Sequence, residues 1–254
     1  KLNPPDYSDL ASKTKAAGCP FCPDLLERLT PKFPPEISSE GRFVKGESTI
    51  FPNMFPYGKH SAVGIFSGEH YVKLDQFETK MLADGFANAA DYLRAVKRND
   101  TGAKYASINW NYMPIAGASI IHPHLQIIAS SEASNYQALA CRSAETYFSQ
   151  NHSNYYYDLI AKEKELNQRY IGQTAAISWL SAFAPQGQMD IYAIFADCHG
   201  LEQITPTHWE GFSQGLIYIM RYLLQNDFIS FNLAVYVTME ESNKDAVHAR
   251  LIPR

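Results

Sequence analysis

The sequence predicts an α+β protein made of two copies of one unit, each a mostly antiparallel sheet with a packed helix. Two segments carry the evidence: IFSGEHYVKL at Ile65–Leu74 resembles IFADCHGLEQI at Ile194–Ile204. In both copies the amphipathic helix predicted next ends in a Tyr-Leu pair, and the last predicted strand carries a histidine. A recurring order of this kind is typical of an internal duplication.

Each element of the unit has a pattern of its own. Short apolar or alternating runs predict strands, and apolar residues three or four positions apart predict a helix. These patterns give strands at Ser61–Ser67, Tyr105–Asn111, Leu125–Ala129 and Phe231–Val237, and helices over Asp75–Val96 and within the tyrosine-rich segment Ser134–Tyr170. Proline limits long regular elements before about residue 58.

The same patterns divide the chain into three parts. Residues 1–130 are expected to form an N-terminal unit that carries the chemistry, residues 131–170 a helical connector, and residues 171–254 a degenerate second unit. Between two strands of the first unit, MPIAGASIIHPH contains a glycine and small residues that permit close backbone approach.

Composition excludes several classes of protein. The 254 residues include 22 basic and 26 acidic side chains, a net charge of −4, which argues against a protein that coats nucleic acid. No apolar run approaches the roughly 20 residues of a membrane span. The opening KLNPPDYSDL lacks the features of a signal peptide, so the cytoplasm is the expected compartment.

Cys19 and Cys22 form a C-x-x-C pair, which in a chain of this length favours a metal site or a redox pair. Structural zinc takes four nitrogen or sulfur ligands, and C-x-x-C commonly supplies two of them. With His70 and His122 as the other two, zinc is the expected cofactor. The alternative is that both cysteines are merely small residues of a proline-rich loop.

The densest signal is the stretch His122-Pro123-His124-Leu125-Gln126. Residues i and i+2 of a strand point to the same face, so His122, His124 and Gln126 are predicted to project into one site. Two hydrogen-bonded core histidines are the alternative. The pattern H-x-H-x-Q after a glycine-containing loop favours the site.

The stretches CPFC, GEH and GASIIHPHLQ, in this order within a duplicated unit, resemble the galactose-1-phosphate uridylyltransferase family of the histidine-triad superfamily. The resemblance covers nearly the whole chain, more faintly in its second half, and H-P-H-x-Q is its most specific motif. In that family the second histidine of H-P-H attacks the α-phosphorus of a nucleotide sugar. A hexose 1-phosphate or another phosphate then captures the nucleotidyl group. The first histidine, two cysteines and one upstream histidine hold zinc in many members.

The resemblance implies roles for particular residues. His124 matches the nucleophile, a role that suits an imidazole with its pKa of about 6.5. Gln126 matches a glutamine that holds a phosphate oxygen. Asn111 and Ser119 match hydrogen-bond donors to the nucleotidyl phosphate, and Asn53 matches an asparagine that contacts the nucleoside. Ordinary turn capping is the alternative for Asn111 and Ser119.

The chain also departs from the family pattern. Met54 stands where the family has an aspartate that contacts the ribose. His248-Ala249-Arg250 matches an H-x-H pair that holds a second metal in some members, and Tyr236 falls where another histidine is found, so no second metal is expected. The sequence ends at LIPR, before a closing segment usual in the family. Few basic residues surround the motif, which leaves the acceptor phosphate without a predicted binding site.

The sequence therefore predicts a transferase of galactose metabolism that resembles UDP-glucose–hexose-1-phosphate uridylyltransferase and works through a covalent nucleotidyl-histidine. Its expected partners are a nucleotide sugar, a sugar phosphate or phosphate, and a second copy of the chain, with neither nucleic acid nor membrane. One alternative is a nucleotide phosphorylase or hydrolase that takes adenine rather than uracil, for which Met54 leaves room. Another is a nucleotide-binding protein that has lost catalysis.

Overall fold

The computed structural model describes residues 6–254 and shows an α+β fold, as the sequence predicts. The strands are β1 (Phe43–Lys45), β2 (Ser48–Pro52), β3 (His60–Ile65), β4 (Tyr105–Tyr112), β5 (His124–Ser130), β6 (Tyr170–Thr174), β7 (Ile177–Ser181), β8 (Ile191–Phe195), β9 (Phe231–Thr238) and β10 (His248–Pro253). The α-helices are α1 (Ser8–Ala16), α2 (Pro23–Leu29), α3 (Thr79–Asn99), α4 (Asn135–Asn151), α5 (Tyr155–Leu166) and α6 (Pro206–Gln225).

One antiparallel sheet joins both halves of the chain, in the order β1-β2-β3-β5-β4-β9-β10-β8-β7-β6. The first half contributes β1-β2-β3-α3-β4-β5 and the second β6-β7-β8-α6-β9-β10, each preceded by two helices. The halves meet where β4 pairs with β9. The predicted fold class of two fused units is confirmed, whereas the division at residues 130 and 170 stays a prediction.

Helices α3 and α6 pack against each other and against one face of the sheet. Phe86 of α3 and Trp209 of α6 are buried where the helices meet, with ring centroids 5.6 Å apart. Trp110 of β4 is fully buried in the same core. Burial of large aromatic side chains is a principal source of stability here. No helix within residues 6–254 is both long and apolar enough to cross a membrane.

Each of these two helices has a glycine where it touches the sheet, at the same distance before its Tyr-Leu pair. A Cβ atom on Gly85 would overlap the ring of Phe66, and one on Gly215 would overlap the indole of Trp179. Both glycines have ordinary helical backbone angles, so close approach rather than backbone conformation requires a residue without a side chain. The duplication thus keeps a glycine at the same helix position in both units, although the rings that the two glycines face are at different positions of the repeat.

The opposite face of the central strands carries half-buried polar side chains. Residues of β4 and β9 alternate between buried and half-buried. Trp110 belongs to the core beneath the helices, so Asn109 and Asn111 point away from it. Asn109 pairs with Gln126 of β5, and Asn111 pairs with Asn232 of β9. Directly paired residues share a face, so these amides form rows across the open face.

Several predicted elements exist with different bounds. The helix expected from Asp75 begins at Thr79, because the preceding residues form a turn in which the Gln76 N–H donates to the Lys73 carbonyl (2.9 Å). The proline-rich start of the chain contains α1, α2, β1 and β2, all short. The tyrosine-rich segment forms α4 and α5, as its pattern predicts.

Replacing Gly215 with alanine is expected to destabilise the protein. Alanine normally favours a helix over glycine by about 1 kcal/mol, but here its methyl group would displace Trp179. Overpacking of this kind costs about 1–3 kcal/mol, so thermal unfolding should begin several degrees lower. Gly172→Ala is the control, since a Cβ there meets nothing within 4 Å. Equal melting temperatures for wild type and Gly215→Ala would contradict this packing.

Candidate functional site

Four buried side chains with metal-ligating atoms meet beside β3 and β5. Cys19 lies between α1 and α2, and Cys22 is the N-cap residue of α2. His70 follows β3, and His122 comes just before β5. One sulfur or ring nitrogen from each lies within 4.8 Å of the other three. The fold thus brings together the four residues that the sequence predicts as ligands.

Hydrogen bonds orient both imidazoles toward the cysteines. The Nε2–H of His122 donates to the Ser67 carbonyl (2.9 Å). Nε2 of His70 lies 2.9 Å from Oγ1 of Thr14, whose own hydroxyl donates to the Leu10 carbonyl (2.9 Å). With Nε2 protonated in each ring, the Nδ1 lone pairs face the thiols. Fixing a ring through its second nitrogen is typical of metal-binding histidines.

The separations of these atoms suit a tetrahedral ion. Sγ of Cys22 lies 3.3 Å from Nδ1 of His70 and 3.9 Å from Nδ1 of His122, and Sγ of Cys19 lies 4.0 Å from the latter. Ligand atoms around tetrahedral zinc are roughly 3.3–3.8 Å apart. Burial, and then the neighbouring Cys19, raises the pKa of Cys22 to about 11. A cation would stabilise the thiolates, so the cluster could bind a metal.

His124 is the first residue of β5 and stands at the edge of an open cavity. Its Nδ1 lies 2.8 Å from the His122 carbonyl, which can only accept a hydrogen bond. Nδ1 therefore carries the proton, and the Nε2 lone pair is left unprotonated. Burial lowers the pKa of His124, which keeps the ring neutral. The arrangement leaves an imidazole whose Nε2 lone pair can act as a nucleophile.

The cavity beside His124 has a volume of about 220 Å³. Gln126, Ser119 and Asn53 line it together with His124. Phe21, from the loop between the two cysteines, forms part of its wall and packs against His124 with ring centroids 5.3 Å apart. The cysteine loop therefore contributes to the cavity as well as to the Cys-His cluster. None of the residues lining it within 6–254 is charged.

Asn53 and Asn111 have partners that the sequence does not reveal. Oδ1 of Asn53 accepts the Phe55 N–H (2.9 Å), so this asparagine also closes a turn. Asn111 is not among the lining residues of the cavity, and its Oδ1 accepts a hydrogen bond from Nδ2 of Asn232 (2.8 Å). Asn232 belongs to the second unit. Its outward position in an alternating strand is the only sequence signal that could have indicated it.

The prediction that His122, His124 and Gln126 project into one site is wrong for His122. Strand β5 begins at His124, so the two-residue alternation of a strand does not extend back to His122. The His122 ring faces the cysteines, whereas His124 and Gln126 line the cavity. The H-P-H motif therefore serves two adjacent sites. Phe21 and Thr14, which contact these histidines, also lie outside the set that the sequence predicts.

His248 occupies in the second unit the place of His124 in the first. His124 pairs with Ile65, and His248 pairs with Ile194, the matching isoleucine of the repeat. Nδ1 of His248 lies 2.9 Å from the Ala246 carbonyl, as Nδ1 of His124 lies near that of His122. Ala246 thus stands where the first unit has its metal-facing histidine.

In the second unit, an asparagine and two tyrosines occupy the place that the Cys-His cluster has in the first unit. Asn154 is the N-cap of α5, as Cys22 is of α2, and its Nδ2 donates to the Asp245 carbonyl (3.1 Å). Tyr156 stacks on His248 with centroids 5.0 Å apart, and the Tyr136 hydroxyl lies 3.3 Å from Nε2 of that ring. His248 is therefore enclosed by tyrosines of the α4–α5 segment, whereas His124 borders a cavity.

Another group of possible ligands, Asp197, Cys198 and His208, lies at the start of α6. Nδ1 of His208 accepts the Thr205 N–H (3.0 Å), which leaves the proton on Nε2. That Nε2–H donates to Oδ1 of Asp197 (3.0 Å). The ring thus presents a proton, not a lone pair, to the other two side chains. These contacts cap α6. They differ from the Cys-His cluster, in which the ring lone pairs face the other ligand atoms.

Comparison with known proteins identifies one relative by sequence and several by fold. No protein-family model matches the chain. An uncharacterized protein of Archaeoglobus fulgidus is 31% identical over 231 residues, which cover 91% of this chain and 68% of that protein. An identity and coverage of this size show a common family.

Three solved structures share the fold. A uridylyltransferase mutant matches with a TM-score of 0.76 and 15% identity, over 93% of this chain and 81% of its own. A GalT-like protein from Arabidopsis thaliana has a TM-score of 0.75 and 15% identity, over 93% and 82%. An ADP-glucose phosphorylase from Arabidopsis thaliana with bound ADP-glucose has a TM-score of 0.75 and 14% identity, over 93% and 80%.

At these identities the solved structures establish the fold, and they confirm the resemblance found in the sequence motifs. The duplicated sheet, the position of H-P-H before β5 and the Cys-His cluster beside it all agree with that fold. The chain therefore belongs to one family with the Archaeoglobus fulgidus protein and has the fold of the galactose-1-phosphate uridylyltransferase family in the histidine-triad superfamily.

Proposed function

We propose that the protein is a nucleotidyltransferase that moves a nucleoside monophosphate from a nucleotide sugar to a sugar phosphate or phosphate through His124. One observation carries the proposal: Nδ1 of His124 is held by the His122 carbonyl, so the nucleophilic Nε2 lone pair is available beside a cavity. The polar side chains of Asn53, Ser119 and Gln126 line the same cavity as His124. The similarity in fold to a uridylyltransferase supports the same chemistry.

The reaction takes place in two displacements at phosphorus. In the first, the Nε2 lone pair of His124 forms a bond to the α-phosphorus, while the bond from that phosphorus to the bridging oxygen breaks. The bridging oxygen keeps the electron pair and leaves as a sugar 1-phosphate. In the second, an acceptor phosphate oxygen attacks the same phosphorus, and the N–P electron pair returns to Nε2. Two easier steps replace one difficult step.

Neighbouring groups stabilise the charge that this chemistry creates. The imidazole becomes positively charged when Nε2 bonds to phosphorus, and the His122 carbonyl stabilises it through Nδ1–H. Gln126 and Ser119 reach the cavity with side-chain N–H and O–H groups that can donate to phosphoryl oxygens. Fixed donors of this kind stabilise a transition state without reorganising. Asn53 lines the part of the cavity proposed for the nucleoside.

Zinc is the metal proposed for the cluster of Cys19, Cys22, His70 and His122. Two thiolates and two imidazoles are a common ligand set for structural zinc, and the Nδ1 atoms already face the sulfurs. When bound, zinc would supply the positive charge that stabilises both thiolates. His122 would then have its ring fixed by the cluster and its carbonyl fixed on His124.

A nucleotide phosphorylase is the second candidate, favoured by the composition of the cavity wall. Met54 lines the cavity where the resemblance leads us to expect a carboxylate for the ribose. The ADP-glucose phosphorylase has the same fold at a TM-score of 0.75. In this reading the chemistry at His124 is unchanged, and inorganic phosphate is the acceptor.

The His124→Gly variant is expected to lose covalent labelling. Incubation of the wild type with UDP-glucose or ADP-glucose labelled at the α-phosphate should leave label on the protein, stable to base and labile to acid. Turnover should fall by at least about 1000-fold without the nucleophile. His152→Gly is the control, because His152 is exposed and has a positive φ that glycine readily adopts. Wild-type protein that never takes up label would refute the proposed intermediate.

Zinc content tests the proposed cluster. Elemental analysis should find about one zinc per chain in the wild type and in Cys141→Ser, whose cysteine lies outside the cluster. Cys22→Ser should contain much less zinc and unfold at a lower temperature, since metal binding adds to stability. The same zinc content in Cys22→Ser and wild type would rule out these ligands.

A comparison of donors and acceptors separates the two candidates. The donor is UDP-glucose labelled at the α-phosphate, and the acceptor is galactose 1-phosphate. If the first proposal is right, the label should appear in UDP-galactose. Release of ADP from ADP-glucose with inorganic phosphate, and no exchange with galactose 1-phosphate, would favour the phosphorylase instead. Product analysis by chromatography distinguishes these outcomes directly.

A further inference from the structure

The proposed reaction requires a binding site for a second phosphate, yet the cavity beside His124 contains no charged side chain among the described residues. A nucleotide sugar has two phosphates, and only the first is attacked. When the P–O bond breaks, the second leaves as a phosphate monoester with an additional negative charge. Stabilising that charge calls for a cationic side chain close to His124 but outside the cavity lining.

A hydrogen-bonded row on the open face of the sheet leads to such a side chain. Asn111 of β4 and Asn232 of β9 are directly paired, and Nδ2 of Asn232 donates to Oδ1 of Asn111 (2.8 Å). Nδ2 of Asn232 also donates to the Ala116 carbonyl (2.7 Å). Nε of Arg254 donates to Oδ1 of Asn232 (2.5 Å). Each amide orientation in the row is therefore determined by its partners.

The row lies beside the nucleophile. The pairing of β4 with β5 ends at Asn109 and Gln126, and the same register continued by two residues sets Asn111 opposite His124 on the same face. Neighbouring strands are about 4.8 Å apart, which places Asn232 about 10 Å from the His124 strand. The backbone of Arg254 is held beside the start of β9 by Ser230: the Arg254 N–H donates to the Ser230 carbonyl (2.9 Å), and the Ser230 hydroxyl donates to the Arg254 carbonyl (2.8 Å). The hydrogen bond from Nε to Asn232 then places its guanidinium at the end of the row.

Two donor groups of this row have no partner among the described residues. Oδ1 of Asn111 is occupied by Asn232, so its amide N–H groups are left for a ligand. Arg254 uses only Nε within the row, and no ion pair joins it to a carboxylate in residues 6–254. A guanidinium with two free nitrogens can bind a phosphate through paired hydrogen bonds.

We propose that Arg254, oriented by Asn232, forms with the Asn111 amide an anion subsite for the second phosphate of the reaction. The inference rests on the proposed nucleotidyl transfer through His124. The subsite would hold the phosphate that leaves with its sugar in the first displacement, and the acceptor phosphate that attacks in the second. Arg254 and Asn232 both belong to the second unit, so that unit would complete the site of the first.

The test compares two donors that load the same nucleotidyl group on His124. The first is the nucleotide sugar, either UDP-glucose or ADP-glucose. The second is the matching nucleoside 5′-phosphorimidazolide, in which a P–N bond breaks and imidazole leaves, so no second phosphate exists. In Arg254→Gln, kcat/KM for loading from the nucleotide sugar should fall roughly 10- to 100-fold, the usual effect of losing a charge-assisted hydrogen bond. Loading from the phosphorimidazolide should be unchanged.

Two further variants refine the comparison. Arg221→Gln is the matched control, because Arg221 is an exposed arginine on α6. It should load normally from both donors. Asn232→Ala should reproduce part of the Arg254→Gln defect, again only with the nucleotide sugar. Thermal unfolding of each variant shows whether it has folded.

The outcomes distinguish this inference from the proposed function. If wild-type protein is loaded by neither donor, transfer through His124 is itself wrong. If wild type is loaded by both and Arg254→Gln is loaded equally well by the nucleotide sugar, the subsite is wrong. An equal fall with both donors would also overturn it, since Arg254 would then act on the nucleotidyl group or on folding.

Discussion

The backbone carbonyl of His122 is the contact on which the rest of the candidate site depends. It accepts the Nδ1 proton of His124 and so leaves the lone pair on Nε2. The ring of the same residue is fixed by the Ser67 carbonyl with its Nδ1 toward Cys19 and Cys22. One residue therefore joins the Cys-His cluster to the imidazole of His124, and a disturbance of the cluster would reach that imidazole through a single peptide unit.

The duplication preserves the scaffold, whereas the surroundings of His124 and His248 differ between the two units. Both units keep the helix glycine and the histidine at the start of the last strand. In the second unit Tyr136 and Tyr156 enclose His248. Arg250, at the place of Gln126, is buried in an ion pair with Asp190 between tyrosine rings. A buried charge must be paired to be tolerated, and Asp190 supplies that partner.

The open face of the sheet brings polar side chains of the two units together. Strands β4 and β9 lie side by side at the centre, so polar residues of the second unit become neighbours of the first unit's site. Asn232 fixes the amide of Asn111 and is itself held by Arg254. The sheet of the first unit alone would end at β4 and would lack Asn232 and Arg254. In the proposed reaction, the fused sheet would give the second unit a part in the chemistry although its own histidine is enclosed.

The sequence by itself determined the fold class, the duplication and the four residues that meet in the cluster, Cys19, Cys22, His70 and His122. Periodicity and short motifs are local properties of the chain. The prediction was wrong about the direction of the His122 ring, since the strand begins only at His124. Only the tertiary structure shows which other residues contact the site, namely Thr14, Phe21, Asn232 and Arg254. Their contacts join residues far apart in the chain, through loop packing and strand pairing, and no local pattern specifies such distances.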